Sequence, residues 1–332
     1  MTTYDDLLAL LDCHSTPGDE DEVAAFLLRR WRAAGLCTTA HGTYAVSAAA
    51  PASGTDDVRP TLLICAHMDS PGYTVERIGK DSAKIIRLGH PSFEESEACG
   101  VLKTRTGRTL VTLRRTDPSD AEPEYHIPLV PGVERGDRVC FVAQPEMTSN
   151  GVIRSPFLDN RLGCFVLCAL ASRPDVFAGE FRVVLGATAS EEMGGFGARV
   201  LAAAVRPDLV VCLDATYEAP EQGVLLGRGP VLTLSDASVL LSCRTRDRVC
   251  RFCADAGVPL QTEVYNYSGT DARAFPHQGL SAPVLPLLVA TQGNHSPVET
   301  AVLDDVQETI RAVAAVSARG VSGGLLATGH EA

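Results

Sequence analysis

From residue 157 onward the chain alternates two textures, and no other feature narrows its fold as far. RLGCFVLCALASR, GARVLAAAVR, RDRVCRFCADAG and LDDVQETIRAVAAVSARG carry apolar residues at helical spacing. Between them, EFRVVLGATA, PDLVVCLD and APVLPLLVA are short, continuous apolar runs. A strand that is apolar on both faces needs cover on both faces, and helices alternating with strands supply it. The pattern predicts an α/β fold with a mostly parallel, mixed sheet flanked by helices. TLLICAHMD at 61–69 has the same strand texture, and helices are expected over YDDLLALLDC and DEDEVAAFLLRRWRAAG, with a break at STPG. The stretch 45–60, with two prolines, reads as a loop, and the Gly-rich tail GVSGGLLATGHEA as frayed.

Between 73 and 156 the texture changes. IGKDSAKIIRLGH, GVLKTRTGRTLVTLRRTD, EYHIPLVPGVERGDRVCFVAQPE and SNGVIRSP alternate apolar and polar residues, broken by Gly, Pro and Asp turns. That is hairpin chemistry without a helical period. The expected organisation is a discontinuous α/β domain, 1–72 and 157–332, interrupted by a small β-rich domain at 73–156.

Composition closes off several classes of partner. With 45% apolar and 21% charged residues in 332, the chain has material for a sizeable core. A formal net charge of −12 disfavours nucleic acid and anionic membrane surface, both of which need clustered Lys and Arg. The start, MTTYDDLLALLDC, has acids where a signal peptide needs basic residues, and no run approaches the roughly 18 apolar residues of a membrane span. The 11 cysteines are odd in number and sit largely inside apolar runs, as free thiols of a reducing cytoplasm would. Cys250 and Cys253 form a lone C-x-x-C at helical spacing and read as core.

In open α/β sheets, ligands bind beyond the carboxyl ends of the strands. The run from 61 delivers His67 and Asp69 to that edge, the run from 181 Glu191 and Glu192, the run from 209 Asp214, and the run from 283 leads through TQGN to His295. Asp159, in SPFLDNRLG, sits where the chain returns from the insert and enters a helix. Each alone reads equally well as a turn or a helix cap; together they suit a borderline divalent ion such as zinc, cobalt or manganese. His67 and Asp69 are two apart on an extended segment, so both face one way and Asp69 can hold the second ring nitrogen of His67. Glu191 and Glu192 are consecutive and diverge. One can bind a metal while its neighbour takes the proton that a metal-acidified water gives up.

At this point the sequence resembles the cocatalytic metallo-aminopeptidase family of glutamyl aminopeptidases, tetrahedral (TET) aminopeptidases and proteins once called cellulase M. The segments that carry the resemblance are STPGDEDEV, AHMDSPGYTV, FLDNRLGC, SEEMGGFGA, LDATYE, LGRGP, SGTDA and HSPVE. The resemblance implies two divalent metal ions, zinc first and cobalt or manganese as alternatives. His67 and Asp214 would ligate one, Glu192 and His295 the other, and Asp159 would bridge them. It implies Glu191 as general base and Asp69 as the residue orienting His67. It further implies a short peptide or amide substrate, a homo-oligomer built as a dimer through the insert, and a dodecamer beyond that. Two departures stand out: Ser70-Pro71 replaces a common Glu-Ile, and TQGNH replaces a frequent Arg-Tyr-x-His. Two other readings stay open, a related amide hydrolase or deacylase with a specialised small-molecule substrate, and an inactive shell-forming binding protein.

Overall fold

A computed structural model describes residues 4–51, 57–116 and 123–326. The chain opens with helices α1 (Tyr4–Asp12) and α2 (Asp21–Ala33), then strands β1 (Cys37–His41), β2 (Ala45–Ala49) and β3 (Thr61–His67). Six strands follow: β4 (Gly72–Ile78), β5 (Ser82–Leu88), β6 (Glu97–Thr104), β7 (Gly107–Arg115), β8 (Tyr125–Pro128) and β9 (Arg138–Phe141). They close into a barrel in the order β4-β5-β8-β7-β6-β9, every pairing antiparallel. Tyr73, Phe93, Tyr125 and Phe141 pack edge-on or tilted inside this domain.

The chain then returns through β10 (Glu146–Met147) and β11 (Val152–Ser155) to helices α3 (Leu158–Ala171) and α4 (Pro174–Phe177). The remainder is β12 (Arg182–Thr188), α5 (Phe196–Val205), β13 (Leu209–Tyr217), β14 (Val231–Ser235), α6 (Cys243–Asp255), β15 (Gln261–Val264), α7 (Ala274–His277), β16 (Val284–Gln292), β17 (Glu299–Val302) and α8 (Leu303–Arg319). The large sheet has 11 strands, running β1-β2-β12-β3-β13-β16-β17-β11-β10, with β14 and β15 branching from β16. Its centre, β12-β3-β13-β16, is parallel, and the flanks are antiparallel. The fold is the expected α/β sheet with a separate small β-rich barrel.

β3 shows why these residues make a central strand. All seven are buried. Leu62, Ile64 and Ala66 join the larger core with α3, while Leu63 and Cys65 join a second core beneath α5 and α7. Alternate side chains of one strand thus feed two layers, and each fully buried aliphatic contributes about 1.5–3 kcal/mol.

The structure departs from the sequence reading in two places. AVSAA, within the expected loop, and CTTAH, just before it, form the hairpin β1–β2. Their Ala and Thr residues are weakly apolar, and pairing with β12 makes β2 a buried strand. The expected insert runs to 156, yet the barrel's last strand ends at Phe141, and β11 pairs with β17 of the main sheet. Short alternating strands read alike in sequence whichever sheet they join. The last residues of the Gly-rich tail, 327–332, lie outside the described residues.

Candidate metal centre

Parallel register brings the strand ends to one edge. Thr188 of β12 lies opposite His67 of β3, and Leu213 of β13 lies opposite Ala66, so Asp214 sits level with His67. Beyond β12 the chain must turn within a few residues and start α5. Gly197 stands where an added Cβ would be 2.3 Å from both the Ala189 amide and the Tyr44 carbonyl, so only glycine lets α5 begin against the strand. The acid pair is then pinned from below: the amides of Glu191 and Glu192 donate to the two carboxylate oxygens of Asp69 at 3.0 and 3.1 Å.

The other members are held just as firmly. The amides of Asp159 and His295 donate to the two oxygens of Glu299, each at 2.9 Å. Ser70 Oγ donates to the Asp159 carbonyl at 2.7 Å, and the Asp159–Asn160 peptide is cis. Asn160 Nδ2 donates to the Leu213 carbonyl, which ties the start of α3 to β13.

Two sets of donors face one another in the resulting cleft. His67 Nε2 lies 3.1 Å from Asp214 Oδ1 and 3.2 Å from Asp159 Oδ1. His295 Nε2 lies 3.3 Å from Glu192 Oε1 and 3.4 Å from Asp159 Oδ2. Asp159 therefore offers one oxygen to each set. His67, Asp159 and Asp214 form one group with ligand atoms mutually within 4.8 Å, and Asp159, Glu192 and His295 form another. Glu191 stands beside them, accepting from Arg273 Nη2 at 2.9 Å. Every residue singled out from the sequence is in this place, and a cleft of about 410 Å³ opens over it. One contact differs from expectation. His67 Nδ1 lies 3.0 Å from the backbone carbonyl of Asp69 and 3.6 Å from its carboxylate, because that carboxylate is taken by the two glutamate amides.

A family model described as M42 glutamyl aminopeptidase matches residues 129–311, more than half of the chain and all of these residues except His67 and Asp69. The chain belongs to the M42 glutamyl aminopeptidase family. That places it among peptide-bond hydrolases. The glutamyl aminopeptidase of Lactococcus lactis subsp. cremoris is 25% identical over 345 residues, covering 94% of this chain and 96% of that protein. A protein of Acetivibrio thermocellus is 29% identical over 184 residues, which span 54% of this chain and only 55% of that relative. Among solved structures, the Pyrococcus horikoshii TET1 peptidase, which can assemble into a tetrahedron or a large octahedral shell, superposes with a TM-score of 0.83. It is 21% identical, covering 95% of this chain and 98% of its own.

The electrostatics of this M42 centre ask for a cation. Burial pushes the carboxyls of Glu191, Glu192 and Asp214 up, the first of them far above the usual range. Burial likewise raises Glu299 to about 8, with the nearby Asp159 charge adding to it. Asp159 goes the other way: burial opposes its charge, but His295 and His67 facing its two oxygens win and hold it low. Arg273 is the guanidinium in the cleft, too little to balance these acids. A buried carboxylate cluster of this kind is stable when cations neutralise it, and imidazole plus carboxylate donors suit a borderline divalent metal.

Several contributors escaped the sequence reading. Glu299 was present only as the last residue of the HSPVE segment, although it orders both Asp159 and His295. Glu20, in STPGDE, accepts from the amide and hydroxyl of Ser190 at 3.0 and 3.2 Å and so fixes the residue before the acid pair. Its hint was the STPG break itself, which folds back over the strand ends. Arg273 had no visible signal beyond its position after SGTDA.

Proposed function

We propose that this chain is a dinuclear metal-dependent aminopeptidase that removes N-terminal residues from short peptides. The observation that carries the reading is Asp159, whose two oxygens face two separate imidazole–carboxylate sets. His67 and Asp214 would hold one ion, Glu192 and His295 the other, with Asp159 shared and Asp69 ordering the turn. When bound, two divalent ions would polarise a scissile carbonyl and acidify a water. Zinc fits the donor set first, and cobalt or manganese also suit it.

The chain's own residues do the rest. Glu191 accepts the proton of the attacking water and returns it to the leaving amine. Arg273 holds one oxygen of Glu191, which leaves the other to take up the proton. Asp69 and Glu20 keep the 190–192 turn rigid, which holds that oxygen at a fixed distance from the ligands. Among the described residues no helix is long and apolar enough to cross a membrane, and no cysteine is joined in a disulfide; we place the protein in the cytoplasm. We also place a homo-oligomeric contact on the barrel, where Ile78, Ile86 and Leu110 are exposed. The shell-forming P. horikoshii peptidase supports this.

The test is Glu191→Gln. Dipeptide hydrolysis should fall by about 100- to 10,000-fold while metal analysis still finds two ions per chain. Undiminished turnover rejects Glu191 as the base, and preference for an N-acylated dipeptide over its free-amine form rejects the aminopeptidase reading in favour of a deacylase.

A further inference from the structure

The cleft has a second acidic wall that the metal set does not use. Glu263 on β15 lines it and is 4% exposed. Its two carboxylate oxygens accept from Thr216 Oγ1 at 2.7 Å and Thr233 Oγ1 at 2.6 Å. Both partners are neutral hydroxyls, and among the described residues no cation pairs with it. A buried carboxylate held in its accepting form without a counter-charge is costly unless a cation arrives to complete it. Asp236 lines the same wall, with the amides of Ser238 and Val239 both on its Oδ1. Outside the two imidazoles of the metal set, the basic side chains in the lining are Arg273, committed to Glu191, and His90.

Aromatic surface lies beside these acids. Tyr217, Tyr265 and Tyr267 all line the cleft, with ring centroids 6.0 and 5.7 Å apart along the row. Tyr267 is 92% exposed, an unusual position for an aromatic ring that has nothing to cover. Distance fits as well. Thr216, which holds Glu263, lies two residues beyond Asp214 on β13, and two residues of strand advance about 6.6 Å, close to the reach of a four-carbon stem and its ammonium.

Resting on the aminopeptidase reading above, we infer that the cleft selects peptides whose N-terminal residue has a long cationic side chain, lysine or arginine. Its stem lies on the tyrosines and its charge meets Glu263 and Asp236. The same wall repels an acidic side chain. Tyrosine faces also attract a cation directly.

The experiment measures kcat/KM for Lys-Ala, Arg-Ala, Leu-Ala and Glu-Ala with the metal-loaded protein, then repeats it with Glu263→Gln and, as a second variant should that one fold poorly, Asp236→Asn. Lys-Ala and Arg-Ala should exceed Leu-Ala by at least about tenfold and Glu-Ala by more. Glu263→Gln should cost the cationic substrates about 10- to 100-fold, mainly in KM, and leave Leu-Ala within about threefold. Leu-Ala or Glu-Ala as the best substrate overturns the inference. So does an equal loss on all four, which would mean that the wall binds the α-ammonium common to every substrate. If none is cleaved, the aminopeptidase reading falls separately. Calorimetry of lysinamide against leucinamide then decides: tighter lysinamide binding that Glu263→Gln abolishes supports the wall, and equal binding overturns it.

Discussion

Strands β3 and β4 are separated only by Met68–Pro71, yet they enter regions that treat the same residue types in opposite ways. On the barrel, acids and bases meet across neighbouring strands and stay in water: Arg114 and Glu97 pair at 2.9 Å with both side chains more than half exposed, and Lys84 reaches Glu124. Such pairs contribute little, about 0–1 kcal/mol. At the sheet edge, Asp159, Glu191 and Asp214 are buried with too few cations. Topology makes the difference. Antiparallel neighbours put opposite ends side by side, so no edge of the barrel collects strand termini of one kind. Parallel neighbours β12, β3, β13 and β16 end together, so single residues from distant parts of the chain meet. Among the described residues, every group of His and acids close enough to share an ion lies on the sheet side.

The largest effect expected from this contrast is at Asp159. Asp159→Ala removes an oxygen from both donor sets, so metal content should fall below two ions per chain. Hydrolysis should drop by more than the roughly 100- to 10,000-fold that one proton-transfer group costs. The barrel's melting behaviour should hold. Retention of two ions would break the idea that this carboxylate joins the sets.

The reverse experiment is Tyr73→Ala. Tyr73 is fully buried in the barrel and packs on Tyr125 and Phe141. Losing a buried aromatic costs about 3–5 kcal/mol, which a thermal or urea melt would register. Metal stoichiometry in the folded fraction should not change. A coupled loss of metal would show that the two regions are one energetic unit. The contact of Gly72 with Thr16, where an added Cβ would be 2.5 Å from the threonine methyl, marks where such coupling would run.

How much of this was legible in the sequence follows the same division. His67, Glu191, Glu192 and Asp214 could be read because each ends, or closely follows, a continuous apolar run, a local signal that survives without neighbours. Asp159 and His295 were legible mainly through the motifs around them. Glu299 was not, because its role is a pair of hydrogen bonds to backbone amides, one of them 140 residues away. The Asp69 carboxylate lies 3.6 Å from His67 Nδ1 but also accepts from the Glu191 and Glu192 amides, a second task hidden from the sequence because spacing fixes which way a side chain faces and not which donors claim it. The hairpin β1–β2 was missed because small residues carry little hydrophobic period, and its burial comes from β12, far along the chain.

The smallest expected change in stability tests whether the barrel has a use beyond folding. Leu110 on β7 is 74% exposed, opposite Val101 of β6, in a strand that itself ends in the charged Arg114 and Arg115. A single exposed leucine needs no explanation by itself, so the test has to come from assembly. Leu110→Lys should shift folding stability by no more than about 0.5 kcal/mol, because almost none of the side chain is buried in the isolated chain. Metal content and the hydrolysis rate per chain should stay level, since Leu110 is absent from the cleft. Sedimentation velocity should nevertheless show a smaller particle, because a lysine buried at a subunit contact loses its hydration without gaining a partner. An unchanged mass would move the contact elsewhere on the surface and leave the barrel as a wall of the cleft, where His90 already reaches its lining.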